Sequence, residues 1–426
     1  MAGFRHELDR LRQTDPPTAA PMAGSGWSEA LPEGRVVQSG DGRYYLIENV
    51  YPDSHFHGRV RLGRFLPADF LYLLDAAGLS MSEFGKESVV FLDTETTGVH
   101  GGAGMCPFLI GVGYFSGDQF ELRQYFIRDF DEEPSMLADL GEFLGRFDLI
   151  VTYNGRAFDV PVVESRCVLA RVERPFDHMR HLDLLHIGRR LWKASHGSCR
   201  LTALEERLVR FLRGPDIHGS KIPMAYFDYL RTGRSHVLRS VFSHNAYDIL
   251  SLAALTVLAA DRVAGEPQAL DDPRDVYSLG RVFDRGPERS RSIRHYEMAL
   301  DSGGLPAELR VRALERLSVL YTRTGQRERS LDCCLRLIGE PSFNISAYER
   351  AAIHYERRAR DFDAACRILG EAIGRISGAN SATRNRLARL ESRRARLEKR
   401  RAKHAYSTGS SRTSEVSPPP RSSTAM

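Results

Sequence analysis

Asp93 and Glu95 stand two residues apart at the close of the run ESVVFLDTETTG. In an extended strand, alternation of period two sets both carboxylates on the same side of the sheet. Two like charges held that closely are costly unless a cation neutralises them, which makes the pair a natural ligand set for a hard metal ion. Acids at strand ends are commonly just solvated. Here the apolar run before them and the small polar, Gly-ended turn after them sharpen the reading. A second acid, Asp159, follows the strand-like FDLIVTYNG and falls near the start of a helix. At that place it is either a ligand or a favourable partner of the helix dipole. The third element is SHNAYDILSLAAL, in which His244 and Asp248 lie four apart and share one helix face. Ile249, Leu252 and Leu255 would bury the opposite side. Alone, such a His–Asp pair is more often a surface pair than a site.

The elements that must position these groups can be read coarsely. From Gly34 to Phe65, short alternating runs such as RYYLIENVY and GRVRLGRF predict strands, and ADFLYLLDAAG between Pro67 and Gly78 predicts a helix. ESVVFLDTETTG begins as a buried strand, FLIGVGYFSGDQFELRQYFI gives further strands with a turn at Ser116-Gly117-Asp118, and PSMLADLGEFLGRF has helical spacing before FDLIVTYNG returns to a strand. Strands first and then helix–strand imply a mixed sheet flanked by helices. HLDLLHIGRRLWKA and HNAYDILSLAALTVLAADRVA are expected to be helices.

Beyond Asp272 the strand signal ends. SLGRVFDRGPERSRSIRHYEMAL, RLSVLYTRTGQRERSLDCCLRLI and RAAIHYERRARDFDAACRILGEAI align so that Phe283, Tyr321 and Tyr355 share a register, as do Ser292, Ser330 and Ala364. Offsets of 38 and 34 residues suit a helix–turn–helix repeat of the tetratricopeptide kind. Three unrelated amphipathic helix pairs are the plain alternative. The expected division is a flexible N-terminus (1–33), an α/β domain with an N-terminal strand extension (34–264), helical repeats (265–376), and a basic helix with a disordered Ser/Thr/Pro tail (377–426).

The 426 residues exceed one ordinary domain, and 42% hydrophobic residues are normal for a globular protein. No apolar run reaches the roughly 18 residues a membrane helix needs, and the first residues lack a secretory leader's apolar core. The six cysteines are scattered without a CxxC pair, which predicts free thiols in a reducing cytoplasm and no structural zinc. His178, His181, His186 and His196 match no zinc spacing. The net charge of +5 is local: Arg384 to Lys403 holds ten Lys/Arg against two acids. With Leu387, Leu390 and Leu397 as its apolar residues, that run is either a phosphate grip or a solvated terminal helix.

A strand-end Asp-x-Glu, an Asp after strand–Asn, and a helical His-x-x-x-Asp, in that order, resemble the DEDD nucleases. The region from about Gly34 to Ala264 resembles the YprB-like ribonuclease H-like family, related to the DnaQ-type 3′–5′ exonucleases. The stretches SHGSCRLTALEERLVRFLRGPDIHGSKIPMAYFDYLRTG and LRSVFSHNAYDILSLAAL, and the order of nuclease domain then repeats, carry that match. The resemblance implies an α/β ribonuclease H-like domain followed by an all-α tetratricopeptide-like domain. It implies two divalent cations, Mg2+ or Mn2+. Asp93 would bridge both, Glu95 and Asp248 would complete one site, and Asp159 would support the other. Water would attack a phosphodiester in line, with cations about 3.5–4 Å apart stabilising incoming and leaving oxygens. His244 is the implied base, although it sits at the spacing where the family's tyrosine-type members place Tyr; Tyr247, next to Asp248, is the alternative.

Thr96, Thr97 and Asn154 would contact the terminal nucleotide or orient the acids, or simply form turns. Arg189, Arg190, Lys193 and Arg200 beside Trp192 suit a single-stranded backbone and a stacked base; a partly exposed amphipathic helix with Trp192 in the core is the plainer explanation. The implied partners are single-stranded DNA or RNA and a protein on the repeats, with no membrane. Two rivals are a nucleic-acid-binding scaffold that cleaves weakly, acting through its helices, and a phosphodiesterase for small nucleotides.

Overall fold

The computed structural model describes residues 31–79, 85–98, 104–265, 270, 272–284, 286, 288–376 and 381–409. The chain divides into two compact units, 1–288 and 289–426. The Ser/Thr/Pro tail and nearly all of the expected flexible N-terminus lie outside the described residues.

Unit 1 is built on a seven-stranded sheet. Its strands are β1 (Arg35–Ser39), β2 (Gly42–Pro52), β5 (Val89–Thr96), β6 (Pro107–Ser116), β7 (Gln119–Phe126), β8 (Leu149–Thr152) and β9 (Arg180–Asp183), in the order β1-β2-β7-β6-β5-β8-β9. A separate two-stranded hairpin joins β3 (Phe56–His57) to β4 (Val60–Arg61). β1, β2, β7, β6 and β5 pair antiparallel, whereas β8 and β9 add in parallel. The longer helices are α1 (Pro67–Ala77), α2 (Glu133–Leu144), α3 (Asp159–Ala170), α4 (Leu184–Leu191), α5 (Ile222–Thr232), α6 (Arg239–Ala264) and α7 (Pro273–Phe283).

β5 lies inside the sheet, and helices cover both its faces. Val89 and Phe91 join a core with α1, α4 and the body of α6, while Val90 and Leu92 join a second core with α2, α3 and α5. Burial on both faces explains why the strand reads as a continuous apolar run. The mixed sheet flanked by helices is as the sequence predicts. Two expectations are corrected. HLDLLHIGRRLWKA is not one helix: Arg180–Asp183 pairs with β8 as a strand, and Asp183 then caps α4 by accepting from the Leu185 N–H at 3.1 Å. The helix holding Phe283, placed among the repeats by its register, belongs to unit 1, where α7 packs on α4 and α1.

Unit 2 is helical: α8 (Arg289–Asp301), α9 (Ala307–Arg323), α10 (Arg327–Gly339), α11 (Ile345–His354), α12 (Phe362–Arg375) and α13 (Ser381–Gly409), each from α9 onward packed on its neighbour in sequence. The basic run is α13. Its Leu390 and Leu397 are buried in a core with Ala365, Leu369 and Tyr348. Arg393 and Arg400 converge on the buried Glu356 at 2.6 and 3.0 Å. Among the described residues no helix is long and apolar enough to cross a membrane, and all six cysteines are free thiols.

Candidate active site

Asp93 and Glu95 continue the row begun by Val89 and Phe91, and therefore face α6. Opposite Asp93 in β6 is Gly111. A Cβ there would lie 2.3 Å from Asn245 Oδ1, so glycine is what lets α6 approach the sheet this closely. Asn245 is fully buried and donates through Nδ2 to Asp93 Oδ2 at 3.0 Å, while its Oδ1 accepts from Gln124 Nε2 at 3.0 Å. Its place on α6 brings His244 and Asp248 over the same spot. Single ligand atoms of Glu95, His244 and Asp248 all lie within 4.8 Å of one another.

Asp159 arrives from the other side. β8 ends at Thr152, Asn154 takes a positive φ of 67°, and the Asn154 and Arg156 N–H groups donate to Asp183 at 2.9 and 3.2 Å. A Cβ on Gly155 would meet Thr152 Cβ at 2.5 Å, so that turn requires glycine. Asp159 then opens α3, buried, with Oδ1 accepting from Thr94 Oγ1 at 2.6 Å.

The electrostatics follow from this crowding. Burial and then the charges of Asp248, Asp159 and Glu95 push the Asp93 carboxyl well above the usual carboxylate range. Glu95 is raised in the same way, by burial, Asp248 and Asp159. Asp159 is raised to about 6 by burial, against the opposing pull of the Thr94 hydroxyl. The charges of Asp248 and Asp159 therefore both act at Asp93 and Glu95, where repulsion among crowded carboxylates resists ionisation without a counter-charge.

His244 Nδ1 lies 2.9 and 3.0 Å from the two oxygens of Asp216. That contact favours the tautomer with the proton on Nδ1 and leaves Nε2, 3.4 Å from Asp248 Oδ2, as the basic nitrogen. Tyr247 instead packs its ring on Phe211 at 5.2 Å between centroids.

The proposed nucleotide contacts are dispersed. Thr96 Oγ1 donates to the Gly98 carbonyl at 2.6 Å, and Thr97 Oγ1 accepts from the Cys106 N–H at 3.0 Å, so both hydroxyls secure the turn after β5. Asn154 is a turn residue by its φ. Trp192 is 1% exposed and belongs to the core, which removes it as a stacking platform. Arg190 donates to the Ala76 carbonyl of α1 at 3.5 Å, and Lys193 closes its own turn onto the Gly197 carbonyl. Arg189 and Arg200 stand exposed. His178 and His181 bind the Phe147 carbonyl and the Thr152 hydroxyl, at 3.1 and 2.8 Å.

Five residues at the site escape the sequence reading: Thr94, Asn245, Glu205, Arg213 and Asp216. Two signals pointed there. Glycines inside the apolar strand FLIGVGYF mark a close approach by another element, and Asn245 is a polar residue in an otherwise well-packed stretch of helix.

Comparison with known proteins agrees with this architecture. Residues 90–260 match the family model described as RNase_H superfamily. The chain is 28% identical over 340 residues to the uncharacterized protein YprB of Bacillus subtilis (strain 168), spanning 78% of this chain and 80% of that protein. The family B DNA polymerase of Pyrobaculum calidifontis superposes with a TM-score of 0.32 at 17% identity, over 46% of this chain and 28% of the polymerase, too distant a match to bear on function.

Proposed function

We propose that this chain, whose residues 90–260 form a ribonuclease H-like domain, is a metal-dependent nuclease that hydrolyses phosphodiester bonds, acting as a 3′–5′ exonuclease on single strands. The observation that carries the reading is the grouping of Asp93, Glu95, Asp159 and Asp248, in which burial and the charges of Asp248 and Asp159 drive the carboxyls of Asp93 and Glu95 upward and burial drives that of Asp159.

The residues fit hard divalent cations. Their donors are carboxylate oxygens, the ligand type preferred by Mg2+ and Mn2+, and the concentrated negative charge supplies the attraction. Asp93, Glu95, Asp159 and Asp248 would hold the ions. When bound, such ions stabilise the charge that develops on the attacking and leaving oxygens. The protein's own work is positional and protolytic. Asn245 and Thr94 fix the carboxylates of Asp93 and Asp159. His244 Nε2 takes the proton of the attacking water as its oxygen bonds to phosphorus, and the bond to the 3′ oxygen of the preceding nucleotide breaks with its electron pair going to that oxygen.

In unit 2 the tetratricopeptide-like reading gives a surface for a protein partner. A groove of about 480 Å3 carries Arg327, Arg350, Arg357 and Arg358 around Leu331 and Ile353. A groove lined by four arginines and two aliphatic side chains suits an acidic peptide segment.

The test is a degradation time course on end-labelled DNA and RNA oligonucleotides and on dinucleotides, in Mg2+, Mn2+ or EDTA. Ladder-like shortening from the 3′ end of single strands, absent in EDTA, is the expected outcome. Binding without shortening supports a scaffold, and cleavage confined to dinucleotides supports a small-nucleotide phosphodiesterase.

A further inference from the structure

Arg213 is the one guanidinium that touches the acid cluster among the contacts of the described residues, and the reading above gives it no part. Its side chain is 9% exposed. Nε lies 2.9 Å from Glu205 Oε1 and a terminal nitrogen 2.7 Å from Oε2, a two-pronged bond to an acid that is 1% exposed. The same terminal nitrogen donates to Asp248 Oδ1. The other reaches Asp216 Oδ2 at 3.1 Å and approaches His244 Nδ1 at 3.3 Å. One planar group therefore ties a supporting acid, a cation ligand and the partner of His244 into a single arrangement.

The loop carrying it is held in place. Arg210 just before it adopts a positive φ of 60°. The β3–β4 hairpin grips the same loop: the Arg59 N–H donates to the Val209 carbonyl at 2.8 Å, and the His57 ring lies 4.1 Å from Phe211. His57 Nε2 is in turn 2.7 Å from Ser251 Oγ, one helical turn beyond Asp248 on α6.

We propose that Arg213 is a positioning residue, which holds one oxygen of Asp248 and the Asp216–His244 pair so that the other Asp248 oxygen and His244 Nε2 are presented to the cation site. Glu205 is its anchor. The inference rests on the metal-nuclease reading, and it makes a claim that charge alone reverses. Removing a cation from the edge of a cation site should tighten metal binding by Coulomb's law. Removing a positioning group should weaken it, because Asp248 loses its fixed orientation.

The experiment is calorimetric titration of the full chain with Mn2+, for wild type, Arg213→Gln, Arg213→Lys and Asp248→Asn, with near-ultraviolet circular dichroism to check the fold. We expect Arg213→Gln and Arg213→Lys each to weaken Mn2+ binding about tenfold, the order of effect of a lost supporting contact to a metal ligand. The lysine variant keeps the charge and the bulk but not the fork, so it carries the test should the glutamine variant misfold. At saturating Mn2+ both variants should lower kcat with KM within about twofold, since a positioning group acts through its neighbours. Unchanged or tighter Mn2+ binding in the arginine variants overturns the proposal, as does a KM rise at constant kcat, which would make Arg213 a substrate contact. Wild type that binds no Mn2+, or Asp248→Asn that binds it as well as wild type, overturns the underlying cation site instead.

Discussion

Asp159 is 5% exposed, and its carboxyl is raised to about 6 from an ordinary 3.8 by burial against the pull of the Thr94 hydroxyl. The folded chain therefore holds this proton more tightly than the unfolded chain. Its contribution to stability is present below pH about 4 and is lost as pH rises through about 6. Asp93 and Glu95 shift in the same direction. The consequence is that a residue of the candidate site destabilises the metal-free protein at neutral pH. In EDTA at pH 7.5, Asp159→Asn should melt above wild type and the gap should close toward pH 4.5; with saturating Mg2+ the order should reverse, because only wild type has the full ligand set. A variant that melts below wild type in EDTA would contradict the assigned environment. At this scale the shared face of Asp93 and Glu95, and that of His244 and Asp248, were legible in the sequence, since spacing within a strand or helix follows from backbone period. Asn245, Glu205, Arg213 and Asp216 were not, because their roles depend on which loop lies against which helix.

Among the elements, the approach of α6 to β6 sets the geometry of the site. Gly111→Ala would place a methyl 2.3 Å from an Asn245 oxygen that is itself held by Gln124. We expect a cost of about 1–3 kcal/mol from overpacking and a fall in nuclease rate larger than the change in stability explains. An active, equally stable alanine variant would show that α6 has slack here. The helix α13 offers a parallel case in unit 2. Read from the sequence, it was either a phosphate grip or a solvated helix, because its arginines dominate the composition. Its leucines settle the packing: Leu397 is fully buried, and Leu397→Ala should cost unit 2 about 2–5 kcal/mol, read by chemical denaturation. Arginines that converge on Glu356 were invisible as partners in the sequence, since Glu356 lies far away along it.

Over the whole molecule, the strand–helix order that predicts a mixed sheet is realised, because apolar runs covered on both faces leave little ambiguity. The boundary between the units was not legible. Phe283 aligns in sequence with Tyr321 and Tyr355, yet α7 lies against α4 and α1, and a sequence register alone does not say which neighbour covers it. Unit 2 presents its own chemistry in the arginine-lined groove. If the units divide the labour, Arg350→Glu with Arg357→Glu should leave cleavage of a short oligonucleotide within about twofold of wild type; a tenfold loss would make the groove part of the substrate path. The proposed activity depends on the carboxylates working together on a phosphodiester. The most direct measurement is the rate at which purified full-length chain shortens an end-labelled single strand in Mn2+, compared with Asp93→Asn and Asp248→Asn of unchanged fold. A loss of about a thousandfold or more in each variant is the predicted result. Degradation by Asp93→Asn at the wild-type rate would contradict it.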